Sequence, residues 1–215
     1  MVLGLLVAPS NAAAQGTTSE FQSWAATFLG KNVGDSDFTL WFDGHARRGG
    51  DNTVAIIRPA LGYRLTSDLT VHLGYAWVPT FNDGAPNRHE HRVWQQLLWV
   101  PKPVEGLVLN VRPRFEQRLV QGESGLGLRA RLFLRANYRF GDSPFLIAVW
   151  DEVFLPVNDA AWGQAAGFDQ NRIFVGPGIV GYPGMRVEVG YLNVVLNRAT
   201  DAINHVLALN LFLQL

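Results

Sequence analysis

The sequence has no cysteine, only two lysines (Lys31 and Lys102) and, beyond its first residues, no long apolar run. Without cysteine there is no disulfide, no thiolate zinc site and no cysteine nucleophile. That absence leaves the compartment open, because exported bacterial proteins often lack cysteine too. Val2–Ala8 is apolar but only seven residues long. No later stretch reaches the roughly eighteen uncharged apolar residues that a transmembrane helix needs. Net charge is missing as well. With 18 Lys+Arg against 18 Asp+Glu, the usual electrostatic case for a nucleic-acid partner falls away.

What is there begins with the arginines. Sixteen of the basic residues are Arg. A planar guanidinium fork is favoured over an ammonium where charges are paired in a dry or confined space. The N-terminus reads as a secretory signal peptide over 1–14. The short apolar run is followed by Pro9 and then by Asn11-Ala12-Ala13-Ala14-Gln15, with Ala12 and Ala14 at the small-residue cleavage positions. A basic leading region is missing from it, and the mature chain is expected to begin at Gln15. Residues 15–215 form the remaining domain.

The stretch from Leu107 to Phe140 sets the fold class. Leu107, Leu109, Val111, Phe115 and Leu119 alternate with Asn110, Arg112, Arg114, Glu116 and Arg118. After a turn at Gln121–Gly125, Leu128, Ala130, Leu132, Leu134, Ala136 and Tyr138 alternate with Arg129, Arg131, Arg135, Asn137 and Arg139. Successive side chains of a strand point to opposite faces. These are therefore long strands with one apolar face and one crowded with guanidinium groups. A soluble sandwich can alternate in the same way, but it seldom has strands of this length. An outer-membrane barrel turns the apolar face to lipid and the charged face to the lumen. The expected fold is all-β, an antiparallel transmembrane up-and-down β-barrel of about 10–12 strands.

Along the chain, strands are expected at Glu20–Gly30, Asp37–Arg47, Thr53–Leu65, Leu69–Pro79, Glu90–Val100, the two arms of 107–140, Phe145–Leu155, Phe168–Val180, Met185–Val195 and Asn204–Leu215. The last carries the apolar series Leu207, Leu209, Leu211, Leu213 and Leu215. Turns at 66–68, 101–106, 141–144 and 182–184 are short, while the loops at 80–89, 156–167 and 196–203 are longer, as with short periplasmic turns and long external loops. The count is eleven, whereas bacterial single-chain barrels have an even number. Either Glu20–Gly30 does not span, or a twelfth strand is hidden. Pro59 and Pro113 fall inside strands, where a bulge at each is expected.

Several strings resemble an uncharacterised family of bacterial outer-membrane β-barrels, domain-of-unknown-function family 2490. They are Glu90-His91-Arg92-Val93-Trp94-Gln95-Gln96, Arg114-Phe115-Glu116-Gln117-Arg118, the Arg129/Arg131 pair, Asp151-Glu152-Val153-Phe154, Phe168-Asp169-Gln170-Asn171-Arg172 and Gly190-Tyr191-Leu192-Asn193. The resemblance implies a barrel in the bacterial outer membrane and brings no reaction with it.

The candidate site is a lumen charge network: Glu90, Arg92, Gln96, Arg112, Arg114, Glu116, Arg118, Arg129, Arg131, Arg135, Glu152, Gln170, Arg172, Arg186 and Glu188. The bland reading is an ion-pair filling of a small barrel. The functional one is an anion-lined pore or a lumen site for a phosphate- or carboxylate-bearing ligand. Arg exceeds the acids by eight to four with Arg135 left uncounted at the rim, which keeps the second reading open. Glu116 is expected to meet Arg129 or Arg131 across the hairpin, with Glu152 facing the same interior.

His89 and His91 share a strand face as a metal pair would, but two imidazoles without a third ligand make a weak site. A Ser–His lipid-modifying centre, of the lipid A deacylase or phospholipase kind, is the alternative function. None of Ser19, Ser23, Ser36, Ser67, Ser124 and Ser143 shares a strand face with a histidine at short spacing, and nothing in the sequence selects a cross-strand pair. Trp41, Trp77, Trp99 and Tyr138 are expected in interfacial girdles. The expected function is structural, or narrow transport of anions or small solutes. No cofactor and no catalytic residue are assigned. The expected partners are outer-membrane lipid and lipopolysaccharide, the barrel-assembly machinery and an anionic small ligand, not nucleic acid.

Overall fold

The computed structural model describes residues 17–215; the expected signal peptide, 1–14, and the expected start at Gln15 lie outside them. Eleven strands follow one another: β1 Thr18–Asn32, β2 Phe38–Gly49, β3 Asn52–Arg64, β4 Leu69–Asn82, β5 Arg88–Trp99, β6 Leu107–Val120, β7 Gly127–Arg139, β8 Phe145–Pro156, β9 Gln170–Val180, β10 Met185–Leu196 and β11 Ala202–Gln214. Each pairs with its sequence neighbour antiparallel, and the sheet closes into a barrel. The all-β barrel expected from period-two alternation is the fold of this protein.

The strand number resolves differently from either expectation. Glu20–Gly30 does span, as part of β1, and no twelfth strand is present among the described residues. An odd up-and-down series returns its last strand running the same way as its first, so one seam must be parallel. That seam is β1 with β11, in register from Thr18↔Ala202 to Gly30↔Gln214. Parallel ladders are slightly weaker per residue, and thirteen consecutive pairs offset this.

The expected bulges at the prolines are absent. Register runs unshifted from Ile57↔Trp77 to Ala60↔Gly74 past Pro59, and from Gln96↔Arg114 to Trp99↔Val111 past Pro113. Both rings point outward, and pairing lapses only on the side where the missing N–H would have donated. The loops are also more even in length than expected. Thr80–Asn82 and Arg88–His89 join their strands, which leaves 83–87 as the connection, and only 157–169 remains long.

Inward and outward faces differ in kind. Outward positions such as Leu73, Leu97, Leu132, Leu134, Ile173, Val175 and Leu207 are exposed. The interior has two sectors. On β8–β11, Leu146, Ala148, Phe174, Leu192, Val194, Val206 and Ala208 pack together, with Trp150 stacked on Phe174 at 5.4 Å. Phe174 lies flat against the wall because Gly176 and Gly190 leave room: a Cβ at either would stand 2.8 Å from the ring. The charged sector lines β2, β3 and β5–β7 and reaches onto β8–β10 through Glu152, Gln170, Arg172, Arg186 and Glu188. Beside it, on β3–β5, Ile56, Ala76, Val78 and Trp94 form a second, smaller apolar cluster. Trp41 belongs inside, donating to Asp43 at 3.0 Å, and not to a girdle, because odd positions of β2 point inward. Trp77, Trp99 and Tyr138 do lie outward, and Trp99 donates to Asp68 beyond the strand end at 2.8 Å.

The parallel seam can be tested covalently in this cysteine-free chain. Ala25 and Leu209 are register partners on the outer face. Ala25→Cys with Leu209→Cys should cross-link under mild oxidation within disulfide reach and change gel mobility. A failure to cross-link in folded protein would contradict the eleven-strand closure.

Candidate functional site

Every residue of the expected network points into the barrel. Thirteen of the fifteen are buried, and Arg118 and Arg186 are half-buried. Arg135 is buried, not at the rim. The arrangement is three groups stacked along the axis, each centred on carboxylates.

The middle group is the densest. Glu116 is fully buried and is the register partner of Arg129 on β7. Arg129 donates to its Oε2 at 2.6 and 3.1 Å, and Arg131 donates to its Oε1 at 2.5 Å. The Arg114 and Arg58 guanidinium groups stand 3.8 and 4.0 Å away. Arg131 also reaches Glu152 at 2.6 Å, bridging two strands and two acids. Arg112 lies 4.0 Å from Glu152 and over the Phe133 ring at 4.2 Å. Arg114 instead gives Nε and Nη2 to the Gln96 amide oxygen and stacks on Trp94.

Toward the end carrying the 157–169 loop, Glu90 is held in two forks. Arg92 approaches it at 2.8 and 3.0 Å, and Arg118 at 2.6 and 3.1 Å. Arg118 also donates to Gln164, which the long loop inserts into the mouth. Gln170 accepts from Arg172 at 3.0 Å. At the loop edge, Asp169 is held below its ordinary carboxyl range of 3.8: burial acts to raise it, and the hydrogen bond and charge of Arg198 outweigh that. Toward the opposite end, Glu188 pairs with Arg135 and, at 2.9 Å, with Arg186.

The sequence reading missed Asp43, His45, Arg47, Arg58 and His72, which also point inward. Arg58 donates to Asp43 at 2.6 Å, and His45 lies 3.2 Å from the same oxygen. Parity held the signal, since Asp43 and His45 alternate with Leu40 and Phe42. Arg58 is harder to see inside the apolar run Ala55–Leu61. The reading also missed the apolar inner sector, whose strands are apolar on both faces and give no contrast.

His89 and His91 stand on the outer face, His89 stacked on Trp77 and His91 bonded to the Tyr75 hydroxyl at 2.5 Å. Among the described residues no serine is hydrogen-bonded to a histidine. Two cavities enter the interior from opposite ends, of about 660 Å³ at the long-loop mouth and about 470 Å³ at the other, and they share no lining residue. The Glu116 group lies between them.

Over residues 21–205 the sequence matches the family described as "Protein of unknown function (DUF2490)". The chain belongs to this family. Within curated proteins, an uncharacterized protein of Methylorubrum extorquens is 33% identical over 218 residues, covering 97% of this chain and 94% of that one. Among solved structures, LpxR from Salmonella typhimurium is similar at a TM-score of 0.47 with 12% identity, covering 82% of this chain and 83% of that one. This DUF2490 barrel is thus related over nearly its whole length to a protein described as uncharacterized, and its chemistry is read from its own interior.

That interior makes a direct prediction. Breaking a buried ion pair by removing one partner costs about 3–5 kcal/mol, and removing both costs much less. Glu116→Gln should therefore destabilise the barrel by that order. Arg129→Gln added to it should restore part of the loss. Arg131→Gln should rescue less well, because it also strips Glu152. Equilibrium unfolding in detergent with the three variants checks the order.

Proposed function

We propose that this protein is a bacterial outer-membrane β-barrel whose interior is closed by its ion-pair network, serving as a structural barrel or a carrier of small anions and not as an open porin. One observation carries the reading: the barrel is inverted relative to a water-soluble protein. Its outer wall is bare and apolar, with Leu73 and Leu207 about three-fifths exposed, while its arginines and glutamates are buried. Burying a side chain of that size contributes about 1.5–3 kcal/mol. A whole belt left in water would therefore cost tens of kcal/mol, and lipid removes that cost. Strands of eleven to fifteen residues meet or exceed the roughly 9–11 that span a bilayer when tilted. Exposed aromatic residues near both strand ends, among them Phe81 and Phe168 at one and Trp99 and Tyr138 at the other, suit the two interfaces. The end carrying 157–169 is placed outward.

Membrane fractionation with gel mobility before and after boiling tests the setting: the folded barrel should partition with the outer membrane and run faster unboiled. Leu132→Arg places a charge on the outer wall near mid-strand, at a cost of about 2–4 kcal/mol at the midplane. It should lower the yield of the heat-shifted form. Normal assembly of that variant would mean this face does not meet lipid.

A further inference from the structure

The charges at the long-loop mouth do not balance. Nine of the side chains lining that 660 Å³ cavity are arginine, and the acids are Glu90 and Asp169 alone. Both acids are engaged, Glu90 by Arg92 and Arg118, and Asp169 by Arg198 at 2.7 Å. Among the described residues, no carboxylate lies within 4.0 Å of Arg47, Arg88 or Arg172. Residues 1–16 contain neither Asp nor Glu that could supply one.

Two of these three are built into the wall. Arg172 is more than nine-tenths buried, and its only hydrogen bond among the described residues goes to the Gln170 amide. Arg47 has a buried Nε with no partner. Both guanidinium groups lean on one indole, that of Trp24, at 4.1 and 5.0 Å from its centroid. A guanidinium does not give up its proton in proteins. Two cations held against one ring in a confined space thus stay charged with no carboxylate in contact among the described residues.

We propose that the mouth of the barrel is a binding site for a small phosphate-bearing anion, held between Arg47 and Arg172. Planar forks take phosphate oxygens two at a time, and a cavity of this volume is of small-molecule size. Every strand residue lining it points inward, so the wall is closed toward the membrane and the ligand enters dissolved, through the loops. The Glu116 group forms the floor, which makes this a receptor site and not a passage. The inference rests on the anion-carrying side of the reading above, but it needs only the folded barrel in detergent.

Calorimetric titration of the detergent-solubilised protein with inorganic pyrophosphate tests it. The wild type should bind saturably, more weakly as chloride is raised, and more tightly than it binds inorganic phosphate. Arg47→Gln with Arg172→Gln should weaken binding at least tenfold. Arg139→Gln, on the opposite rim, should leave it unchanged. No binding by a heat-shifted, folded wild type would overturn the site while leaving the barrel and its membrane setting intact. So would equal loss in the rim variant. Micelles containing phosphatidylglycerol should not displace pyrophosphate, and displacement would assign the site to a lipid headgroup instead and overturn the dissolved ligand. If the double variant does not fold, phenylglyoxal labelling of the wild type decides. Pyrophosphate should protect Arg47 and Arg172, and protection confined to other arginines would contradict the proposal.

Discussion

The barrel depends on one fully buried carboxylate. Glu116 gathers the guanidinium groups of Arg129 and Arg131 by direct hydrogen bonds and those of Arg114 and Arg58 by proximity. Through Arg131 it reaches Glu152, and through Arg58 it reaches Asp43. Strands β2, β3, β6, β7 and β8 are thereby tied across the interior by side chains as well as by their ladders. A network of this kind contributes little over an apolar filling of equal volume, yet removing one member is costly because the rest are left uncompensated. Its effect is to fix which strands face one another. A shift of one residue in register would turn every one of these charges outward.

The interior divides its work between two sectors. On β8–β11 the space is filled by packing, with Phe174 seated against glycines and Trp150 stacked above it. On the other wall it is filled by charges resting on aromatic faces: Arg112 on Phe133, Arg114 on Trp94, Arg131 on Phe154. A guanidinium on a ring face keeps its edge free for hydrogen bonds, so one aromatic residue can support a cation that also serves a carboxylate. Cavities that share no lining residue open from the two ends.

Much of this was legible in the sequence where the two faces of a strand differ in polarity. The alternation in β6 and β7 pointed to the barrel, to the inward parity of the seven network residues on those strands, and to Glu116 meeting Arg129 or Arg131 across the hairpin; it meets both. Legibility failed where contrast was low. In β10 and β11 both faces are apolar, so the inner cluster of Leu192, Val194, Val206 and Ala208 left no trace in the pattern. Arg58 sat unremarked within an apolar run, although its pairing with Asp43 completes the network. The odd strand number was legible only as a contradiction, because the direction in which β1 and β11 meet is a property of the closed sheet. The excess of arginine over acids was countable in the sequence, but its concentration at the mouth, where Glu90 and Asp169 are already engaged, was not.

The central claim is that these charges seal the barrel instead of lining an open path, and single-channel recording tests it most directly. Wild-type protein reconstituted into planar bilayers in concentrated salt should give no stable ohmic steps. Reproducible, anion-selective steps from the folded wild type would contradict the account, since a conducting path cannot coexist with the Glu116 group closing the middle of the barrel.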